Sequence, residues 1–482
     1  MWILALSASI NLRTNDASIS FGADMKVRLY LQNNELQLNS NLMFTDPTNN
    51  LTTSLYALVS QLRELQTQVS STDNGSVPSL TGRVNTTTLQ NYLNNRRTQI
   101  MNIAAWSYVV STPQPAIVLP ELSAYYGGVY SPTDNRIYLV PCMQADGSDW
   151  HYIDCDTGTM VAYPHNLVYG AVNMAYVGGV YAPLQNRVYF VPYKQADVAN
   201  FIWHYVDCTN LLVIEYTHTL ETLPTSAAYF GGVYSPNEDK IYFVPSAQAP
   251  FDRWHLIECQ SGTIVSYEHN LSLPATNNAY DGGVYSPKDD RIYFVPYLQI
   301  DELHFIECNN GSVGVLHHNM TTFVGNGAYA GGVYSPTTNR VYFSPYTQSS
   351  SSIWHYIDTE NQAVVVEYDH TLTTSPVPTA YVGGAYSPSN DRIYFAPYDQ
   401  HGRDGTYWHY VDCYSGAVVE YSHTLTNVAN GCAFCGGVYS PTNNRVYFIP
   451  HNTSYPTSVH ISDMSSVTYP RGLFAHSMFN GY

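Results

Sequence analysis

Ala124-Tyr125-Tyr126-Gly127-Gly128-Val129-Tyr130-Ser131-Pro132 decides how this chain is read, because its core recurs along the sequence. The Gly pairs are Gly127-Gly128, Gly178-Gly179, Gly231-Gly232, Gly282-Gly283, Gly331-Gly332, Gly383-Gly384 and Gly436-Gly437, with spacings of 51, 53, 51, 49, 52 and 53 residues. A strand-rich unit of this period is a small sheet that cannot bury both faces alone, so the units must pack on one another around a common axis. The Gly pairs use 14 of the 31 glycines. They mark a position that needs positive φ or a close backbone approach near that axis.

The first unit shows the pattern. Gly127 to Tyr130 leads through a Ser131-Pro132-Thr133-Asp134-Asn135 turn to Arg136-Ile137-Tyr138-Leu139-Val140-Pro141. A loop then leads to Trp150-His151-Tyr152-Ile153-Asp154-Cys155, an Asp156-Thr157-Gly158 turn, and Thr159 to Tyr163. Four short runs rich in Val, Ile and Tyr, with turn residues between them, predict an antiparallel meander of strands A to D. Asn135 and its equivalents Asn186, Asp239, Asp290, Asn339, Asp391 and Asn444 are all Asn or Asp, the side chains that tolerate the left-handed conformation closing a tight turn.

Register follows from the same pattern. If Tyr138 faces Tyr152, then Ile137 faces Ile153 and Arg136 faces Asp154, and the second unit sets Arg187 opposite Asp207. A basic residue recurs at 136, 187, 240, 291, 340, 392 and 445, and an acid at 154, 207, 258, 307, 358, 412 and 463. The expectation is a cross-strand ion pair in each unit, contributing a few tenths to ~1 kcal/mol if exposed. The histidines repeat too: one set at 151, 204, 255, 304, 355, 409 and 460, a second at 165, 218, 269, 318, 370 and 423. Side chains spread round a ring do not converge on a metal, so they read as buried structural groups. Five cysteines (155, 208, 259, 308 and 413) share one place in the repeat and read as small buried hydrophobes, unbridged. Cys432-Ala433-Phe434-Cys435 is a C-x-x-C without a second half. No cofactor or metal site is expected.

Ahead of the repeats the pattern changes. Residues 1–46 contain alternating runs at Ala17–Phe21, Lys26–Leu31 and Glu35–Leu38 and predict a small β anchor segment. Its opening Met1 to Leu6 is too short, and lacks the basic residues, for a signal peptide or membrane span. Within 47–104, Leu51, Leu55, Leu58, Leu62, Leu65 and Val69 form a heptad seam that predicts a helical coiled-coil, oligomerising region. Residues 105–123 form a neck, 124–474 the repeats, and 475–482 a tail. Each repeat is expected to contain its own strand D, the last in Val467-Thr468-Tyr469, although Ala116-Ile117-Val118-Leu119 could lend a closing strand. The fold class is therefore mainly β: a seven-bladed propeller of four-stranded blades behind a β segment and an α-helical stalk.

The double glycines and Tyr-rich strands resemble kelch-type propellers across 124–474, with Trp150 arriving 22 residues after Gly128, later than kelch spacing, and Leu303 and Val459 replacing it in two units. The repeats also resemble GGVYSP-type sequences in uncharacterised proteins of large DNA viruses. The layout of β stub, heptad stalk and β head is similar to viral fibre and spike proteins. That resemblance implies a virion-surface attachment protein, a homo-oligomer (a trimer by analogy), held to virion or capsid proteins through residues 1–46 and presenting the propeller to a host glycan or receptor. The other readings are a cytoplasmic scaffold binding a protein partner, and a propeller enzyme of hydrolase or lyase type.

A net charge of −18 opposes nucleic acid or an anionic membrane as the main partner. The B–C loops vary most, and variable loops on a rigid frame carry binding. The candidate ligand residues there are Asp146, Asp149, Asp252, Arg253, His401, Arg403, Asp404 and Tyr407. They show no nucleophile–base spacing and no paired-carboxylate arrangement, so no catalytic residue is assigned.

Overall fold

The computed structural model describes residues 123–451 except 200, 222, 273–274, 300, 324–325, 361–362, 374, 401–406 and 423–430, together with strands at 16–21, 25–32, 35–38, 43–45, 52–54, 108–113 and 458–463. The chain divides into two compact units, Met1–Asn102 and Ile103–Tyr482. In the first, Asp16–Phe21, Met25–Gln32 and Glu35–Leu38 form a three-stranded antiparallel sheet, and Met43–Thr45 pairs with Thr52–Ser54.

Among the described residues there is no α-helix, only strands and short 3-10 turns. The expected helical stalk is corrected accordingly. Its first described residues, Thr52–Ser54, are a strand, since Thr at consecutive positions favours an extended backbone beside the Met43–Thr45 strand. The rest of the heptad seam lies outside the described residues.

In the second unit, six sheets are each a meander of four consecutive strands. The first comprises Tyr125–Ser131, Arg136–Pro141, Asp149–Asp154 and Thr159–Pro164. The expectation of seven self-contained blades is corrected by the last repeat. Its strands Phe434–Ser440, Arg445–Pro450 and Ser458–Asp463 take their fourth partner from Tyr108–Pro113, ahead of the first repeat. The second unit therefore has six complete blades and one composite sheet that joins the segment ahead of the first repeat to the last repeat. The closing strand is 108–113, not 116–119, and Val467–Tyr469 lies outside the described residues.

The expected register holds: Arg136 faces Asp154 and Arg187 faces Asp207, as do the corresponding pairs through Arg445 and Asp463. The side chains pair differently, and the expected ion pair in every unit is corrected. Arg291 reaches Glu307 at 2.6 Å and Arg340 reaches Asp358 at 3.5 Å, but Arg136 and Lys240 turn to Asp134 and Glu238 of their own A–B turns. The commoner contact is with an aromatic ring of strand C. Arg136, Arg187, Arg291, Arg340 and Arg392 stand 4.2–4.6 Å over Tyr152, Tyr205, Phe305, Tyr356 and Tyr410. A guanidinium gains from the π face without desolvating a carboxylate. The acid is then free to hold the C–D turn, as Asp154 Oδ1 does by accepting from the Thr157 amide and hydroxyl.

Neighbouring blades are stitched by rings. Trp150, Trp203, Trp254, Trp354 and Trp408 are fully buried. Each meets the strand-B phenylalanine of the next sheet at 5.4–5.9 Å, Trp150 on Phe190 and Trp408 on Phe448 among them. At the centre, strand A shifts register between Tyr125 and Gly128, and the same bulge recurs in every sheet. Gly127 and its equivalents have positive φ there. A Cβ on Gly331 would stand 2.8 Å from Gly383 Cα, and one on Gly436 3.4 Å from Gly127 Cα, so these glycines form a closed ring in backbone contact.

Candidate functional site

The bulge inserts one extra residue into strand A just before the glycine ring, at the end of the axis where strand A begins and strand B ends. That position holds Tyr126, Val177, Phe230, Asp281, Ala330, Val382 and Cys435. A second tier follows the proline that ends strand B: Cys142, Tyr193, Ser246, Tyr297, Tyr346, Tyr398 and His451. These positions break the repeat while the residues around them keep it.

Six half-buried aromatics line this mouth. Tyr126 packs edge-on against Phe230 at 5.2 Å and against His451 at 5.3 Å. The chain of rings continues from Phe230 to Tyr193 at 5.8 Å, and from His451 through Tyr398 and Tyr346 to Tyr297 in steps of 6.0–6.1 Å. Beneath lie buried Ala330, Val382 and Cys435, packed against Tyr126, Tyr346 and Tyr398.

Asp281 is the acid of this mouth. It is half-buried and densely surrounded by protein. It has no hydrogen bond or ion pair among the described residues. Desolvation pushes its carboxyl up to about 8, so at neutral pH it is mainly the protonated acid, able to donate one hydrogen bond and accept another. Burial also raises the Tyr126 hydroxyl and the Cys435 thiol, each with Asp281 as a nearby negative neighbour. His451 gives its Nδ1 proton to the Tyr125 carbonyl at 2.8 Å, and burial lowers its pKa. Cys432, half-buried at the rim, donates its amide to Asp399 Oδ1 at 2.8 Å. All eight cysteines are unbridged.

The described loop residues expected to bind ligand lie on three different blades. Asp146 ends a 3-10 turn and Asp149 opens strand C of the first blade, where its Oδ2 accepts from the Ser148 hydroxyl at 3.0 Å. In the third blade Asp252 is exposed and Arg253 pairs with Glu268 at 2.9 Å, both side chains more than half exposed. Tyr407 is 48% exposed on the sixth blade. His401, Arg403 and Asp404 lie outside the described residues.

A glutamine also pins these loops down. Gln144, Gln195, Gln248 and Gln348 donate from Nε2 to the first carbonyl of strand C at 2.7–2.9 Å. Gln195 and Gln248 accept on their amide oxygens the backbone N–H of Val172 and Thr225 in the preceding D–A connection. The signal available in the sequence was Gln at one offset in successive repeats, outside the Tyr-rich strands.

The described strand-C histidines are structural. Burial lowers His204, His255, His304, His355 and His409 to about 4, and their Nδ1 atoms meet the hydroxyls of Tyr176, Tyr229, Tyr280, Tyr329 and Tyr381 at the start of strand A. Among the described residues no group of three or more His, Cys, Asp or Glu is placed to hold a metal. No helix there is long and apolar enough to cross a membrane.

No family model and no curated protein matches the chain. Among solved structures it is similar to the extracellular domain of BT4673 from B. thetaiotaomicron, described as a hybrid two component system, with 11% identity, 74% of this chain and 40% of that one covered, and a TM-score of 0.47. It is similar also to the β-propeller domain of Cps50 (Swd1) from Myceliophteria thermophila, at 9% identity, 75% and 99% coverage and a TM-score of 0.45. The WD40 repeats of RRP9 match at 8% identity, 73% and 99% coverage and a TM-score of 0.46. The chain spans about 40% of the length of the first of these. These likenesses bring no kelch or viral family, ligand or location with them.

Proposed function

We propose that this protein is a non-enzymatic recognition module whose propeller receives its ligand at the axial mouth. The observation that carries the reading is the arc of half-buried rings, Tyr193, Phe230, Tyr126, Tyr398, Tyr346 and Tyr297, beside Asp281 at positions that break an otherwise regular repeat. Large rings and one hydrogen-bonding acid suit a sugar ring, with its apolar face on an aromatic and its hydroxyls on the carboxyl group. The ligand class is therefore a glycan. A virion-surface attachment role, with residues 1–46 as the anchor, draws its support from the resemblance of the GGVYSP-type repeats to proteins of large DNA viruses.

Glycan-array binding by the full chain tests the reading, with Tyr346→Ala and Tyr398→Ala as variants and thermal unfolding as the control for folding. Loss of one stacking ring weakens binding about tenfold. Absence of any bound glycan, or binding indifferent to both variants, overturns it. Turnover on a broad hydrolase panel that disappears in Asp281→Asn would make the mouth an active site instead.

A further inference from the structure

A cavity of about 360 Å³ opens between the second and third blades, lined by Arg187, Tyr205, Thr217, His218, Ser261 and Thr263 among others. Two of these side chains depart from their equivalents in several other blades.

The first is His218. It is 4% exposed, and neither ring nitrogen has a partner. Its counterparts His165, His269 and His370 each engage a loop carbonyl through Nε2, those of Gly147, Phe251 and Ser351, at 2.5, 2.7 and 2.8 Å. A buried imidazole with both nitrogens unmet is costly unless something else meets them. Burial lowers its pKa to about 4, so it offers one N–H donor and one nitrogen acceptor, the complement of a hydroxyl group.

The second is Arg187. Arg136, Lys240, Arg291 and Arg340 each have a carboxylate within 2.6–3.5 Å. Arg187 has none among the described residues. Gln185 stands where an acid would reach it from the A–B turn, and its amide is turned to Asp239 at 2.7 Å. Asp207, opposite in register, accepts the Thr209 amide at 2.9 Å. Arg187 stacks on Tyr205 at 4.6 Å and donates one N–H to the Tyr189 hydroxyl at 3.2 Å, which leaves most of its five donors for another acceptor.

We propose that this cleft binds a sugar acid of about monosaccharide size, with its carboxylate on Arg187 and its hydroxyls on His218 and the Thr and Ser side chains. One guanidinium and one neutral imidazole in the lining of the same cleft match a single negative charge, and the hydroxyl-rich walls match a polyol. A guanidinium fork recognises a carboxylate by paired N–H donors. The volume lies at the lower end of the range for small-molecule sites. The cleft shares no residue with the axial mouth.

Calorimetric titration of the full chain with sodium glucuronate at neutral pH tests it, with glucose and inorganic phosphate as comparison ligands. Glucuronate saturates the protein, and glucose and phosphate bind about tenfold or more weakly. Arg187→Gln abolishes the preference for glucuronate over glucose, and His218→Phe, which keeps a ring on Trp203, weakens both sugars. If Arg187→Gln fails to fold, Arg187→Lys decides: the charge without the fork loses most of the preference. Tyr346→Ala leaves glucuronate binding unchanged. No saturable glucuronate binding, binding indifferent to Arg187, or phosphate bound as well as glucuronate each overturn the proposal.

Discussion

Asp281 is the residue whose surroundings matter most for its chemistry. Its carboxyl holds a proton up to about pH 8 in the folded chain, whereas an unfolded aspartate releases it near about 4. Between those values unfolding releases a proton, so the stability this group confers is complete below about pH 4 and is lost as the pH rises through about 8. The neighbours that face it, Tyr126, Tyr297, Tyr346 and Cys435, stay protonated across that window, because burial raises each of them. Asp281→Asn should therefore raise the melting temperature relative to the parent at pH 8–9, with the difference shrinking toward pH 5. Thermal unfolding across that range measures it, and a difference independent of pH would mean that the acid is already ionised. The residue was open to view in the sequence as the one charge in the position before a Gly pair. Alternation of polar and apolar residues, however, does not reveal the bulge that brings this position to the axis.

At the scale of the strand, backbone features were legible and side-chain choices were not. Asn135, Asp239 and their equivalents all have positive φ, as a recurrent Asn or Asp before strand B implies. The B–C register came out of matching Tyr138 with Tyr152, since a one-residue slip would invert every face. Strand pairing places an Arg beside both an acid and a ring, and rotamer and desolvation decide between them, which no repeat pattern records. The glycine ring was visible as a pattern and is severe as geometry. Gly331 combines φ +82° with a Cβ position 2.8 Å from Gly383 Cα, a backbone atom that cannot move without disturbing the next sheet. Gly331→Ala should cost about 2 kcal/mol or more, left-handed strain adding to the clash. Gly170→Ala, with nothing within 4 Å of the added carbon, should cost far less. Chemical denaturation of the two variants compares them directly.

Across the whole molecule, the ring depends on two segments far apart in the sequence. Tyr108–Pro113 pairs with Ser458–Asp463 along its full length, from Pro113 opposite Ser458 to Tyr108 opposite Asp463. Closure of this kind is hard to read in advance, because the partner strand is chosen by which edge remains open once the local hairpins have formed. Tyr108-Val109-Val110-Ser111-Thr112-Pro113 has strand-forming residues, but so has Ala116-Ile117-Val118-Leu119. Pro113 ends the closing strand, and as an edge position it forfeits no ladder bond that a fifth strand would need. Without Tyr108–Pro113 the last sheet would present the backbone of Ser458–Asp463 unpaired, an open template for another chain. A chain beginning at Ile103 should therefore fold with the stability of the full-length propeller. One beginning at Pro115 should unfold at a lower temperature and associate through the exposed edge. Thermal unfolding with sedimentation velocity on the two truncations tests this: equal melting temperatures and monomeric behaviour in both would show that the composite sheet closes nothing.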